Sequence, residues 1–145
     1  MIEILVALSV FAAVATISLR SIGDTLRRDR VAKAAAVVSS DLEQAFAIAA
    51  RQRMPVRVLI DTVNRKLTVV DRNTPTLIYK TRSFEKAGAF EIDSLRSNTP
   101  NIDIMTNGMA TADLTIRLMI LTTGGAKYTK TIQASKGGLV RVDNR

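Results

Sequence analysis

The sequence predicts an α+β fold in which a long N-terminal helix packs on antiparallel β-sheet. Two observations lead there: helical patterning runs without a proline up to Pro55, and alternating segments punctuated by turn residues follow it. A third sets the scale, since 145 residues make one domain of ordinary size, able to bury its own core with an appendage left over.

The helix divides in two. Ile4 to Leu19 carries no charge and interrupts its apolar residues only with Ser9, Thr16 and Ser18. A hydrocarbon layer of roughly 30 Å takes about 20 helical residues. Met1 to Leu19 therefore just suffices as a membrane helix, with Ile4, Leu5, Val6, Leu8, Val10, Phe11, Val14, Ile17 and Leu19 as its apolar surface. Two plainer readings meet objections. A cleaved secretory signal opens with basic residues, whereas this segment opens Met1-Ile2-Glu3. A soluble core helix would need partners around its whole circumference, more than a chain of this size supplies.

From about Leu26 a different pattern sets in, with Val31, Ala35, Val38, Leu42, Phe46 and Ala49 at steps of three or four. Arg27, Arg28, Arg30, Lys33, Asp41, Glu43 and Arg51 are expected on the opposite, solvated side, and Pro55 ends the helix. The expected organisation is a membrane or filament-core segment over 1–25 and a globular unit over 26–145, the latter an amphipathic helix 26–53 followed by a β-rich part 56–145. Between the halves lies Ser21-Ile22-Gly23-Asp24-Thr25. Gly23 is read there either as a flexible joint or as a tolerated surface glycine, because Gly costs a helix about 1 kcal/mol against Ala.

After Pro55 the period becomes two. Strands are expected over 56–60, 67–70, 76–80, 90–95, 102–105, 114–121, 128–134 and 139–142. Turn chemistry separates them at 62–65, Thr74-Pro75, Asn98-Thr99-Pro100-Asn101, Asn107-Gly108, Gly124-Gly125 and Gly137-Gly138.

Glu3 is the informative residue of the first segment, because a carboxylate at the edge of lipid is costly unless it is protonated, paired or held in the headgroup layer. Here Ile2-Glu3, followed by Ile4-Leu5-Val6-Ala7-Leu8-Ser9-Val10-Phe11-Ala12, resembles the N-terminal segment of the type IV pilin family. Met1 stands where that family has a leucine. The resemblance implies a short basic leader that ends in glycine before an aromatic residue, is cut by a prepilin peptidase, and leaves a methylated amine. It also implies that Glu3 recruits and registers neighbouring subunits, and the physics agrees: a buried carboxylate can pair with the terminal amine of a neighbour, offsetting the desolvation of both.

The resemblance continues downstream. Leu42-Glu43-Gln44-Ala45-Phe46-Ala47-Ile48-Ala49-Ala50-Arg51-Gln52-Arg53-Met54-Pro55-Val56 is similar to the helix-to-strand junction of H-type minor pseudopilins and FimT-like minor pilins. Ile104 to Thr111 and Gly137 to Val142 resemble their later turn and closing strand. This implies a minor pseudopilin of a type II secretion system: anchored once in the bacterial inner membrane with its globular part in the periplasm, assembled with other pseudopilin or pilin subunits, in contact with membrane lipid and secreted cargo, and without a cofactor.

The chemical inventory agrees with a structural role. The absence of His and Cys removes the usual imidazole bases, thiol nucleophiles and soft metal ligands. Asp61, Asp71, Glu91, Asp93 and Asp103 form no recognisable catalytic motif and are read as solvated surface.

Charge supports a rival. The net charge of +8 attracts phosphate backbones or anionic headgroups without reading sequence. Lys127, Lys130, Lys136, Arg141 and Arg145 could form a nucleic-acid patch, as the resemblance to DNA-capturing FimT-like pilins also implies; a generically basic surface is the plainer reading. A third reading is a single-span protein with a cytoplasmic domain. Arg20, Arg27, Arg28, Arg30 and Lys33 follow the apolar segment, and the positive-inside rule would place that side in the cytoplasm.

Overall fold

A computed structural model describes residues 2–85, 88–122 and 125–143, with the side chains of 16–21 outside the description. One helix, α1, runs unbroken from Ile2 to Gln52. Its end is local chemistry: Arg53 turns into the left-handed region at φ 52°, and Pro55 two residues on cannot continue the ladder.

Eight strands follow: β1 (Val56–Asp61), β2 (Lys66–Asp71), β3 (Ile78–Ser83), β4 (Ser94–Ser97), β5 (Asn101–Ile104), β6 (Leu114–Leu121), β7 (Lys127–Ala134) and β8 (Val140–Asp143). They form two four-stranded sheets, ordered β3-β2-β1-β5 and β4-β6-β7-β8, with every pairing antiparallel. The expected α+β class holds, and each of the eight expected strand regions overlaps a strand, the one at 90–95 only over its last two residues.

Alternation explains which residues face the helix. In the first sheet Val58 sits between Val69 and Ile102, and Val56 between Asp71 and Ile104. In the second, Leu114, Ile116, Leu118 and Ile120 are buried on every other position of β6, opposite Ile132 and Ala134 of β7. The helix contributes Val31, Ala34, Ala35, Val38, Leu42, Ala45, Phe46 and Ala49 to this same core. Four alanines in that set let the helix axis approach both sheets closely, and the buried face is broader than the six-residue stripe that spacing alone picks out.

That breadth corrects one expectation. Helical spacing puts Asp41 on the solvated side, yet its side chain is only 1% exposed and lies against Lys80 and Arg82 of β3. A helix covered by two sheets buries more than a narrow stripe, and position 41 lies three residues after Val38 and four before Ala45.

The segment expected as a strand over 90–95 is also different. Glu91 stands at φ 48°, which breaks the extended run, and only Ser94–Ser97 pairs with β6. The connection from β3 to β4 instead carries Phe84 and Ile92 into the core, with the Phe84 and Phe90 rings 5.4 Å apart and tilted. The turns at 62–65, 98–100 and 107–108 occur where turn residues predicted them; of the Gly124-Gly125 pair, Gly124 lies outside the described residues. Gly138 is required where it stands: it has φ 84°, and a Cβ there would come 3.2 Å from the Phe46 ring.

Candidate assembly site and basic surfaces

Among the described residues Val31 is the first buried one of α1, 29 residues beyond Ile2 and about 43 Å along the helix at 1.5 Å per residue. Every described side chain from Ile2 to Val14 is exposed, Phe11 by 74%. Ile2, Ile4, Leu5, Val6, Leu8, Val10, Phe11 and Val14 thus present an apolar surface on all sides of a single helix. An uncovered apolar surface of this extent marks an interaction site. Ile17 and Leu19 have side chains outside the described residues, and Met1 lies outside them altogether. Among the described residues no helix is long and apolar enough to cross a membrane.

Glu3 is exposed in the first turn, where the unpaired N–H groups of a helix favour a carboxylate. Gly23 lies within the unbroken helix, and a Cβ there would meet nothing within 4 Å. In this single chain the helix does not open at Gly23.

The base of the projecting segment is tied down by residues expected to be merely solvated. Arg27 Nη1 donates to the Leu121 carbonyl at 3.1 Å, the Arg28 guanidinium lies 5.3 Å over the Tyr128 ring, and Arg30 pairs with Glu91. Together with Asp93 and Thr122, Arg27, Arg30 and Glu91 line an open cleft of about 430 Å³.

The scattered acids turn out to be structural. Asp61 Oδ1 accepts the Val63 and Asn64 N–H groups at 3.0 and 2.9 Å, closing the β1–β2 turn. Hydrogen bonds from the Asn64 backbone and side chain hold its carboxyl below the usual range. Asp71 is buried, accepting from Asn73 and Thr74 N–H at 2.7 and 2.8 Å and from the Tyr79 hydroxyl at 3.2 Å. Asp103 takes both Arg57 donors, Nε at 2.6 Å and Nη2 at 2.9 Å, and Arg72 Nε at 2.9 Å. The Arg57 hydrogen bonds, then the charges of Arg57 and Arg72, keep its carboxyl low against the opposing effect of burial. Asp93 accepts the Leu121 N–H at 2.7 Å. The solvated-surface expectation fails for Asp71 and Asp103, which cap and clamp the first sheet. Among the described residues no three Asp or Glu side chains gather to hold a metal ion.

The structure distributes the C-terminal basic residues. Lys127 pairs with Leu121 and Lys130 with Leu118, so the two point to opposite faces of β7, Lys130 toward the helix. Lys136 stands on the β7–β8 turn, Arg141 on β8 opposite Gln133, and Arg145 lies outside the described residues. The stronger basic feature is one that sequence spacing did not reveal. Arg96 of β4 and Arg117 of β6 are direct cross-strand partners, both exposed on the outer face. Their proximity depends on pairing strands 21 positions apart, and the expected strand at 90–95 had not reached Arg96.

Comparisons with known proteins follow the architecture. No family model matches the chain, and no curated protein matches it in sequence. Among solved structures, the type IV minor pilin FimU of Pseudomonas aeruginosa aligns over 80% of this chain and 90% of its own, at 13% identity and a TM-score of 0.62. The minor pseudopilin EpsH from the Type 2 Secretion System of Vibrio cholerae aligns over 79% of this chain and 97% of its own, at 16% identity and a TM-score of 0.60. The long helix and the two antiparallel sheets thus amount to a pilin-like fold, shared with a minor pilin and a minor pseudopilin.

Proposed function

We propose that this chain is a minor subunit of a pilin-type filament, specifically a minor pseudopilin of a type II secretion pseudopilus. The observation that carries the reading is the projecting helix: an apolar surface exposed on all sides from Ile2 to Val14, attached to a compact head in whose core the first helix residue among those described is Val31. Such a surface is stable in two settings, inside lipid or inside a bundle of equivalent helices, and a filament subunit moves from one to the other. The proposed role is structural, as for the two neighbours.

In this reading residues 1–25 anchor the chain in the inner membrane before assembly and line the filament core afterwards, while residues 26–145 lie in the periplasm and face other subunits or secreted cargo. Processing by a prepilin peptidase and N-methylation belong to the same proposal, with Glu3 meeting the terminal amine of a neighbour. Gly23 is proposed as the joint at which the helix loosens on packing.

Replacing Glu3 with Ala tests the role of the carboxylate. Export and entry of the chain into filaments are expected to fall while the head stays folded; unchanged export would remove Glu3 from the mechanism. A reporter fused after Arg145 tests orientation: activity confined to the periplasm supports the proposal, whereas activity confined to the cytoplasm supports the inverted single-span protein.

A further inference from the structure

The outer face of the second sheet carries a charge arrangement that the filament reading leaves unused. Arg96 and Arg117 stand directly opposite one another across β4 and β6, about 4.8 Å apart in backbone spacing. Like charges in that position repel, and opposed pairs of this kind are ordinarily avoided. The other arginines of the sheets that flank a carboxylate use it: Arg57 and Arg72 hold Asp103, and Arg82 holds Asp41. Among the described residues neither Arg96 nor Arg117 has a carboxylate partner.

The two arginines line a concavity of about 640 Å³ together with Ser94, Met119, Lys127, Thr129, Thr131 and Gln133, with the Asp143 carboxylate also in its lining. Around Arg96 and Arg117 the arginine forks, the Lys127 ammonium and the threonine hydroxyls supply hydrogen-bond donors, the complement of carboxylates, and Asp143 is the one acid among the lining residues. All six aromatic residues of the chain, Phe11, Phe46, Tyr79, Phe84, Phe90 and Tyr128, lie elsewhere, so the face offers no platform for stacking bases. Nor is it a continuous basic track. Thr131 and Asp143 continue the row that begins Arg96–Arg117, and a rigid phosphate rod laid along that row would meet the Asp143 carboxylate. A flexible segment can place its acids on the arginines and leave Asp143 alone.

We propose that this face docks an acidic loop of a partner protein, whose Asp or Glu carboxylates are held between Arg96 and Arg117. The proposal deepens the filament reading by giving the chemistry of one partner, and rests on that reading only for where such a partner is met.

The test uses the full-length chain in a non-ionic detergent and a fluorescent twelve-residue peptide of alternating Glu and Gly, with the Gln–Gly peptide as its neutral counterpart. The Glu peptide is expected to bind on the order of tenfold more tightly than the Gln peptide, and the double variant R96Q/R117Q to remove that difference. K136Q, on a turn outside the concavity, is expected to change binding less than about twofold. Unchanged thermal melting of R96Q/R117Q shows that the head is intact. Equal binding of the two peptides, or Glu-peptide binding that survives R96Q/R117Q, overturns the proposal. So does a 30-base-pair duplex, or a vesicle containing phosphatidylglycerol, that binds through Arg96 and Arg117 more tightly than the peptide. The binding needs no assembly, so its failure is separable from failure of the filament reading, which the Glu3 variant reads.

Discussion

Asp41, in the buried face of the long helix, accepts from Arg82 Nε of β3 at 2.9 Å while its other oxygen meets Lys80 Nζ at 2.6 Å. The pair joins the helix to the outermost strand of the first sheet. Lys80 and Arg82 stand opposite Val69 and Leu67, so their inward side chains occupy the core side of an edge strand. Charges placed there also discourage pairing of that edge with another chain. The clamp is asymmetric: Asp41 is 1% exposed, whereas Lys80 and Arg82 are 29% and 39% exposed.

That asymmetry makes a prediction about stability. Changing both Lys80 and Arg82 to Ala strands a carboxylate in the core and should cost about 3 kcal/mol or more. Asp41→Ala leaves two cations that can turn to solvent, and should cost less, about 1–2 kcal/mol. Urea unfolding of the three proteins checks the order, and equal losses would show that the clamp is no more than a surface contact.

Acid should loosen the first sheet. The carboxyls of Asp103 and Asp61 are held below their ordinary range, Asp103 mainly by the Arg57 hydrogen bonds and Asp61 mainly by those from Asn64. A lowered folded value means that the folded state binds fewer protons than the unfolded one. The contribution is therefore fully present above the unfolded value, about 4, and is lost as pH falls below it through the folded values. Asp103→Asn should flatten this acid limb in thermal melts taken between about pH 5 and pH 2, and an unchanged limb would assign acid sensitivity elsewhere.

The closing hairpin depends on Gly138. Alanine there must adopt φ 84° and meet the Phe46 ring at 3.2 Å, which should cost about 1–3 kcal/mol. Gly23→Ala, in open space, should instead stabilise the isolated chain by up to about 1 kcal/mol. If Gly23 is a joint, the same change should impair assembly. A variant both more stable and fully assembly-competent would argue for a tolerated surface glycine.

The base of the projecting helix offers another check. Arg27, Arg28 and Arg30 bind the Leu121 carbonyl, the Tyr128 ring and Glu91. These contacts are largely exposed and individually weak. The double change R27A/R30A should speed hydrogen exchange over 22–30 at least severalfold while leaving 38–49, within the core, unchanged. Uniform acceleration along the helix would mean that these arginines stabilise the whole head.

Much of the fold was legible because period is a local property. The change from steps of three or four to steps of two at Pro55 marked helix and sheet, and the Asp, Asn and Gly turns marked most strand ends. What was not legible depends on partners distant in sequence. Asp41 reads as polar on a helical wheel and becomes core only because β3 supplies two cations. Asp71 and Asp103 read as scattered acids and become a cap and a clamp only once β1, β2 and β5 align. Arg96 and Arg117 have no spacing signal at all, since their juxtaposition is made by the β4–β6 pairing. The uncovered helix, by contrast, was readable from a single feature: an apolar run with no second apolar segment long enough to cover it.

The filament claim itself is best tested by cross-linking, for which a chain without cysteine is well suited. A single cysteine is placed at Val10, on the exposed apolar helix, in cells that carry the remaining filament proteins. The account predicts that V10C cross-links to another filament subunit and that the product disappears when the assembly ATPase is removed. A V10C chain that forms no cross-link to any filament subunit, or forms the same products without the ATPase, would contradict it.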